Sequence, residues 1–281
     1  MAGLDVGVNA ILQIGTTSVY SNISATSPDF NRALQPIIVA TGSGNSLIGY
    51  RPSTGAKSGF VASFMLPYAA AFTLINAVLA GTPYPITLGL GAAGGALVTG
   101  NLCRDLVIAG AEGGIVDVRA TWDSIALPVA GTYVLTTPTG DIWKFTDALS
   151  VKLVSGAIYT DFSSFSYHIQ RVLAAYKGNS PTGIAKYLKT VRTEAMLDAT
   201  YLKINNAEAT ASGGTCPVLG DCLLSMTQQC PVGAAPATTL TLGVTQGFYG
   251  GWPRVSGGDE EYISEAVTST AFTGGFAISG T

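Results

Sequence analysis

Polar and apolar residues alternate most cleanly over residues 115–125. Val116, Val118, Ala120 and Trp122 share one side of an extended chain, and Asp117, Arg119, Thr121 and Asp123 share the other. A period of two puts one side in a core and leaves the other outside, with Trp122 as the anchor of that core. Residues 104–109 form the opposing arm, across a turn at Gly110-Ala111-Glu112-Gly113-Gly114. Upstream, residues 9–14 read as a short strand. Val19, Ser21, Ile23 and Ala25 then face one way, and Tyr20, Asn22, Ser24 and Thr26 the other. Ser27-Pro28-Asp29 signals a turn and residues 37–40 a returning strand, which predicts a long hairpin with mixed faces. Residues 41–54 read as a Gly/Ser/Pro loop, 57–65 and 85–88 as strands, 89–100 as a glycine-rich loop, and 128–140 as a linker.

Helical spacing enters at residues 68–80, between Pro67 in the first turn and Gly81 as the stop. Phe72, Ile75 and Leu79 lie on one face, and Leu74 and Val78 widen it, the pattern of a buried helix. This helix lies in a 46-residue run without charge, Ser58 to Cys103, which invites a membrane span. A span needs about 20 apolar residues. Ser63, Tyr68, Thr73 and Asn76 interrupt the run, Pro67 divides it, and the usual Lys/Arg asymmetry is missing, so none is expected.

The same pattern comes round again. A shift of 139 residues lays Val19 on Ile158, Tyr20 on Tyr159, Asn22 on Asp161, Arg32 on Arg171 and Leu34 on Leu173. Leu12 and Ile14 fall on Val151 and Leu153. The shift is close to half of 281 residues, which predicts two tandem domains with a boundary near 140, each able to bury its own core. In the second copy, residues 150–166 and 170–177 read as the hairpin, 184–192 as a short helix and 193–204 as the long strand. Residues 221–229 read as the second helix, from Asp221 near its start to Pro231 after its end, and 240–244 and 262–272 as closing strands. Late in the chain the shift reaches 150, so the second copy carries about eleven extra residues by that arithmetic. The class is α+β, mainly antiparallel β, with one helix per half.

Composition narrows the functions. Charged residues make up 11%, against about 25% in an average soluble protein. So little charge points to surface covered by other subunits or by a membrane. A net charge of -3 argues against a nucleic-acid grip. Six of the 14 basic residues lie between Arg171 and Lys203, as a solvated face or a subunit contact. Met1-Ala2-Gly3-Leu4-Asp5 has neither a basic n-region nor a clean apolar h-region, so no signal peptide is expected.

Candidate chemistry stays thin. Gly89-Leu90-Gly91-Ala92-Ala93-Gly94 matches G-x-G-x-x-G, but the sequence after it is broken by Gly100 rather than helical, so a loop is expected and no cofactor. His168 is the one histidine, and no G-x-S-x-G elbow accompanies it. In the repeat it matches Asp29, a turn position. Cys216, Cys222 and Cys230 lack zinc-site spacing. They are free thiols or hold a disulfide from Cys216 to Cys222 or Cys230. Asp259-Glu260-Glu261 with Glu265 reads as a solvated acidic loop. No metal site, cofactor or reaction centre is expected.

The early hairpin (18–40), the strand and helix over 60–80, and the closing hairpin Leu106-Val107-Ile108-Ala109-Gly110-Ala111-Glu112-Gly113-Gly114-Ile115-Val116-Asp117-Val118-Arg119-Ala120-Thr121-Trp122-Asp123 together resemble the major tail tube proteins of long-tailed bacteriophages. The resemblance covers most of the chain and rests on element order. It implies two tail-tube-type β-sandwich or split-barrel domains, residues 1–140 and 141–281, in a virion protein assembled in the host cytoplasm. Three subunits would give six pseudo-equivalent domains in a ring, and stacked rings would form a tube that conducts DNA without binding it specifically. The partners implied are the chain itself and other tail proteins. Asp117, Arg119, Thr121 and Asp123 are the candidate lumen face, with ordinary solvent-exposed surface as the equal alternative. Tyr20, Asn22, Phe30 and Arg32 in the first copy, and Tyr159, Asp161, Phe165, Tyr167 and Arg171 in the second, are candidates for ring or stacking contacts. Low charge and duplication also suit another shell component, such as a capsid-decorating or surface-layer protein.

Overall fold

The computed structural model describes residues 11–20, 34–41, 44–52, 58–89, 94–138, 140–176, 178, 185–202, 205–213, 216, 218–229, 238–251, 253–257, 263–272 and 275–280. Among the described residues the chain is mainly antiparallel β-sheet with two short α-helices. It opens with β1 (Ile11–Ile14) and β2 (Thr17–Tyr20), joined through Gly15, whose φ of +59° suits a residue without Cβ. β3 (Leu34–Thr41) and β4 (Gly44–Pro52) pair with each other as a separate two-stranded unit. β5 (Ser58–Met65), α1 (Ala71–Val78), β6 (Tyr84–Gly89), β7 (Gly95–Ala111), β8 (Asp117–Ser124) and β9 (Val129–Gly131) complete the first half. The second half runs through β10 (Ala148–Lys152), β11 (Ile158–Tyr159), β12 (Phe162–Tyr176), β13 (Tyr187–Leu202) and α2 (Ala207–Ser212). It ends with β14 (Gly220–Thr227), β15 (Thr239–Tyr249), β16 (Arg254–Gly257), β17 (Ile263–Phe272) and β18 (Phe276–Gly280).

Strand pairing follows one succession in both halves. β1 pairs with β2 and β6, β6 with β7, β7 with β8 and β9, and β8 with β5. β10 pairs with β11 and β14, β14 with β15, β15 with β17 and β18, and β17 with β13. One further pairing joins the halves. β7 runs antiparallel to β12, from Ala111 opposite Ser164 to Asp105 opposite Gln170, so 16 strands form one hydrogen-bonded network.

The main cluster of buried apolar residues in that network draws on both halves. Leu12, Phe64, Leu74, Ile108 and Trp122 from the first half pack in the same cluster as Tyr167, Leu197, Leu224 and Leu242 from the second. Each fully buried Leu or Phe here contributes about 1.5–3 kcal/mol. The passage between halves is likewise held down. The Trp143 N–H donates to Leu66 O at 2.9 Å and the Val116 N–H to Trp143 O at 2.9 Å, and the Trp143 side chain is fully buried. Within the expected linker, Val129–Gly131 pairs with β7 as β9.

The strand 57–65, the strand 85–88 and the hairpin around Gly113 stand as expected, with Val116, Val118, Ala120 and Trp122 all buried. The first helix is shorter than expected, Ala71–Val78, with Leu74, Ile75 and Val78 buried. Among the described residues no helix is long and apolar enough to cross a membrane.

Several expectations are overturned. Residues 221–229 are not a helix: Cys222, Leu224 and Met226 alternate with partly open residues in β14, so the period-two pattern outweighs the cap-like Asp221 and Pro231. The second helix is instead Ala207–Ser212. The helix expected at 184–192 gives way to β13, which starts at Tyr187. The turn expected between 166 and 170 is absent, because β12 runs unbroken to Tyr176. The loop expected at 41–54 contains β4, and β7 already begins at Gly95, inside the expected glycine loop. β2 pairs with β1 and β3 with β4, and residues 21–33 of the hairpin expected over 18–40 lie outside the described residues.

Candidate functional site

The seam between halves builds one broad sheet in the order β5-β8-β7-β12-β13-β17-β16. Its inner side is the core. Its outer side can be read in rows across the strands. One row runs Ser63, Arg119, Val107, His168, Met196 and Thr270. The next runs Met65, Asp117, Ala109, Ser166, Asp198 and Thr268. A third runs Val61, Thr121, Asp105, Gln170 and Glu194. All these side chains are exposed or half-buried, so the open face continues across the seam without a break.

His168 sits at the middle of that face. Its Nε2 pairs with Asp105 Oδ1, from β12 to β7, and so ties the second half to the first. The hydrogen bond to Asp105 raises the imidazole pKa, burial opposes this, and the charges of Asp105 and Asp198 add to the rise. Burial raises the pKa of Asp117. The Arg192 guanidinium lies 2.5 Å from Glu194, so the face carries charges of both signs.

The expected lumen residues divide. Asp117 and Arg119 are exposed and Thr121 is half-buried on the open face. Asp123 departs from it, at 3% exposure beneath Arg104, whose Nη1 lies 3.4 Å from its carboxylate. Its cross-strand neighbour Leu102 packs with Leu173 of β12, Leu188 of β13 and Ala185 just before β13.

The expected contact residues divide too. Tyr20 and Asp161 are exposed, and Asn22, Phe30 and Arg32 lie outside the described residues. Tyr159, Phe165, Tyr167 and Arg171 are buried within the chain and are not free for a subunit contact. On β12 the odd positions from Phe165 to Leu173 face inward, and Arg171 falls on that apolar stripe. The guanidinium donates to Ala80 O at 3.2 Å and to Leu79 O, both just past the C-terminal end of α1, where the helix dipole favours a cation. The stripe was the signal in the sequence that Arg171 points inward; its target carries none.

Three buried carboxylates were also missed: Asp147, Glu208 and Glu265. Glu208 of α2 accepts from Ser155 Oγ, the Ser155 N–H at 3.3 Å, Tyr159 OH at 3.1 Å and Tyr249 OH. Glu265 accepts from Tyr201 OH at 2.9 Å and was expected in a solvated loop, but β17 turns it into the core. Burial first, then the neighbouring carboxylates, raise the pKa of Tyr159, Tyr201 and Tyr249, which keeps these phenols as donors. Glu208 and Glu265 are sealed from solvent and brace the fold.

Among the described residues no hydroxyl or thiol hydrogen-bonds to His168, and no cluster of three or more metal-ligating side chains occurs. Cys103, Cys216 and Cys222 are free thiols; burial pushes Cys103 up to about 12 and Cys222 to about 11, and Cys230 lies outside the described residues. The glycine motif ends at β7, a strand, where a pyrophosphate site needs a helix N-terminus. No family model and no curated protein matches the chain.

Proposed function

We propose that this chain is a self-assembling structural subunit, the major tail tube protein of a long-tailed bacteriophage, with two tandem tail-tube-type β-sandwich or split-barrel domains at residues 1–140 and 141–281. The observation that carries the reading is the β7–β12 seam, which merges strands of both halves into one sheet with a continuous open face. The matching succession of strand pairings in the two halves supports the duplication.

Among the described strands, β5 pairs only with β8 and β16 only with β17, so the broad sheet has an edge at each end. Exposed edges seek a further strand, and ring closure removes them. Joining the β5 edge of one copy to the β16 edge of the next repeats, between copies, what the seam does within one. Three copies then supply six pseudo-equivalent halves. In that ring the open face lines the channel, with Asp117, Arg119 and Thr121 joined by Ser166, Gln170 and Asp198. A lining of hydroxyls, amides and charges of both signs holds phosphate weakly and lets DNA slide. The subunit works by assembly, without catalysis or cofactor, in a virion tail beside other tail proteins.

Electron microscopy and native mass measurement of the purified full chain test this. Trimers that stack into hollow tubes are the expected result. Persistent monomers, or flat lattices of the kind a surface-layer protein forms, would refute it.

A further inference from the structure

The open face of the β12–β13 ribbon differs sharply between its two ends. At the far end Val172, Tyr176, Tyr187 and Val191 are exposed, with Tyr176 at 65% and Tyr187 at 67%. The two tyrosine rings stack with centroids 6.2 Å apart, and Lys186 and Lys189 lie exposed beside them. A register shift between Val172 and Leu173 lets Leu188 face inward while residues beyond the shift invert their phase, so Ala195 and Leu197 also face inward. The exposed aromatic face is thus built by the strand and is not a frayed end. An apolar patch rimmed by charge marks an interaction surface.

At the near end of the same ribbon an open groove of about 600 Å3 is lined by Glu112, Asp117, Ser164, Ser166, Asp198 and Thr200. Its charged lining residues are Glu112, Asp117 and Asp198, all acidic. Burial raises the Asp117 pKa, so an incoming cation beside its carboxylate would gain there. Ser164 in the groove and Tyr176 at the tip lie about 40 Å apart along β12 at roughly 3.3 Å per residue.

We infer that the Tyr176–Tyr187 tip of one copy docks, with its lysines, into the acidic groove of a second copy, head to tail along the strand direction. The occupant is a second copy because the complementary surfaces sit at opposite ends of one chain and share one face. Such a contact does not close on itself and propagates as a stack. The inference rests on the assembly reading above and names the surfaces that hold successive rings; Asp117, Ser166 and Asp198 then lie at the rim of the channel, where one ring meets the next, and Arg119, Thr121 and Gln170 line its open length.

The test compares the wild-type full chain with a tip variant, Lys186→Glu with Lys189→Glu, and a groove variant, Glu112→Lys with Asp117→Lys. Circular dichroism and melting confirm that each is folded. Both variants are expected to shorten the polymer about tenfold in sedimentation and micrographs while rings persist. Combining both reversals in one chain restores length, since the attraction is re-created with its signs exchanged. The tip variant keeps a native groove, so adding it to growing wild-type polymer caps the ends. If wild type polymerises and the variants match it, the docking is wrong and the assembly reading survives. If wild type never polymerises, both fall. Retention of a labelled DNA duplex by wild type, abolished by Lys189→Glu, would overturn the docking in favour of a nucleic-acid surface.

Discussion

α1 follows β5 and α2 follows β13, strands at matching places in the two successions of pairing, and the two helices are fastened in opposite ways. α1 buries Ala71, Leu74, Ile75 and Val78, and its C-terminal end is met by Arg171 from the other half. α2 has six residues, and the side chain it buries is Glu208, gripped by Ser155, Tyr159 and Tyr249. The first attachment is apolar and tolerant of detail, because dispersion and burial have no direction. The second is directional: each phenol or hydroxyl must find its oxygen, and each left over costs free energy. A similar place in the chain order is therefore filled once by packing and once by a buried polar network.

Breaking the apolar attachment has the largest expected effect. Leu74→Ala should destabilise the chain by about 3–4 kcal/mol in urea unfolding, while Phe72→Ala on the exposed side of the same helix should cost well under about 1 kcal/mol. Equal losses would mean that α1 is not seated by its apolar face. The polar attachment comes next. Glu208→Ala strands buried hydroxyls and should cost about 3 kcal/mol, and Glu208→Gln, which keeps one acceptor but adds donors, about 1–2 kcal/mol. Were Gln as damaging as Ala, hydrogen-bond matching would not be what holds α2.

The smallest expected effect concerns the seam. His168 faces Asp105 on β7, Asp198 and Glu194 on β13, and Arg119 on β8, with Arg192 paired to Glu194. Its pKa in the folded chain lies above the free value of about 6.5. The pair thus stabilises fully below that pH, and the contribution is lost as pH rises through the folded value. With both partners partly in solvent it amounts to less than about 1 kcal/mol. Wild type should melt about 2 °C above His168→Gln at pH 5.5, and the gap should close by about pH 9. A gap that persists at high pH would place its origin elsewhere than in the ion pair.

Legibility followed the range of each interaction. The β8 alternation, the apolar helix and the closing hairpin were readable because their signals lie within one element. β14 was misread because end signals, Asp221 and Pro231, were weighed above the alternation of Cys222, Leu224 and Met226. In the candidate site Asp117, Arg119 and Thr121 were legible from parity alone, but Asp123 was not. Its cross-strand neighbour Leu102 meets Leu173 of β12, a long-range contact that parity within β8 does not register. Arg171 and His168 were visible as residues but not as joints, since their partners, the carbonyls after α1 and Asp105, lie in the other half.

Taken alone, the sequence determined which side of β8 is apolar, where the first helix lies, and that the early pattern returns 139 residues later. These are properties of local spacing, set by the periods of strand and helix. Only the tertiary structure decided that β7 and β12 zip together, that both halves share one hydrophobic cluster, and that one broad face stays open across them. Strand pairing between distant segments depends on which edges meet once the core has closed, and that choice is made by packing across the whole chain.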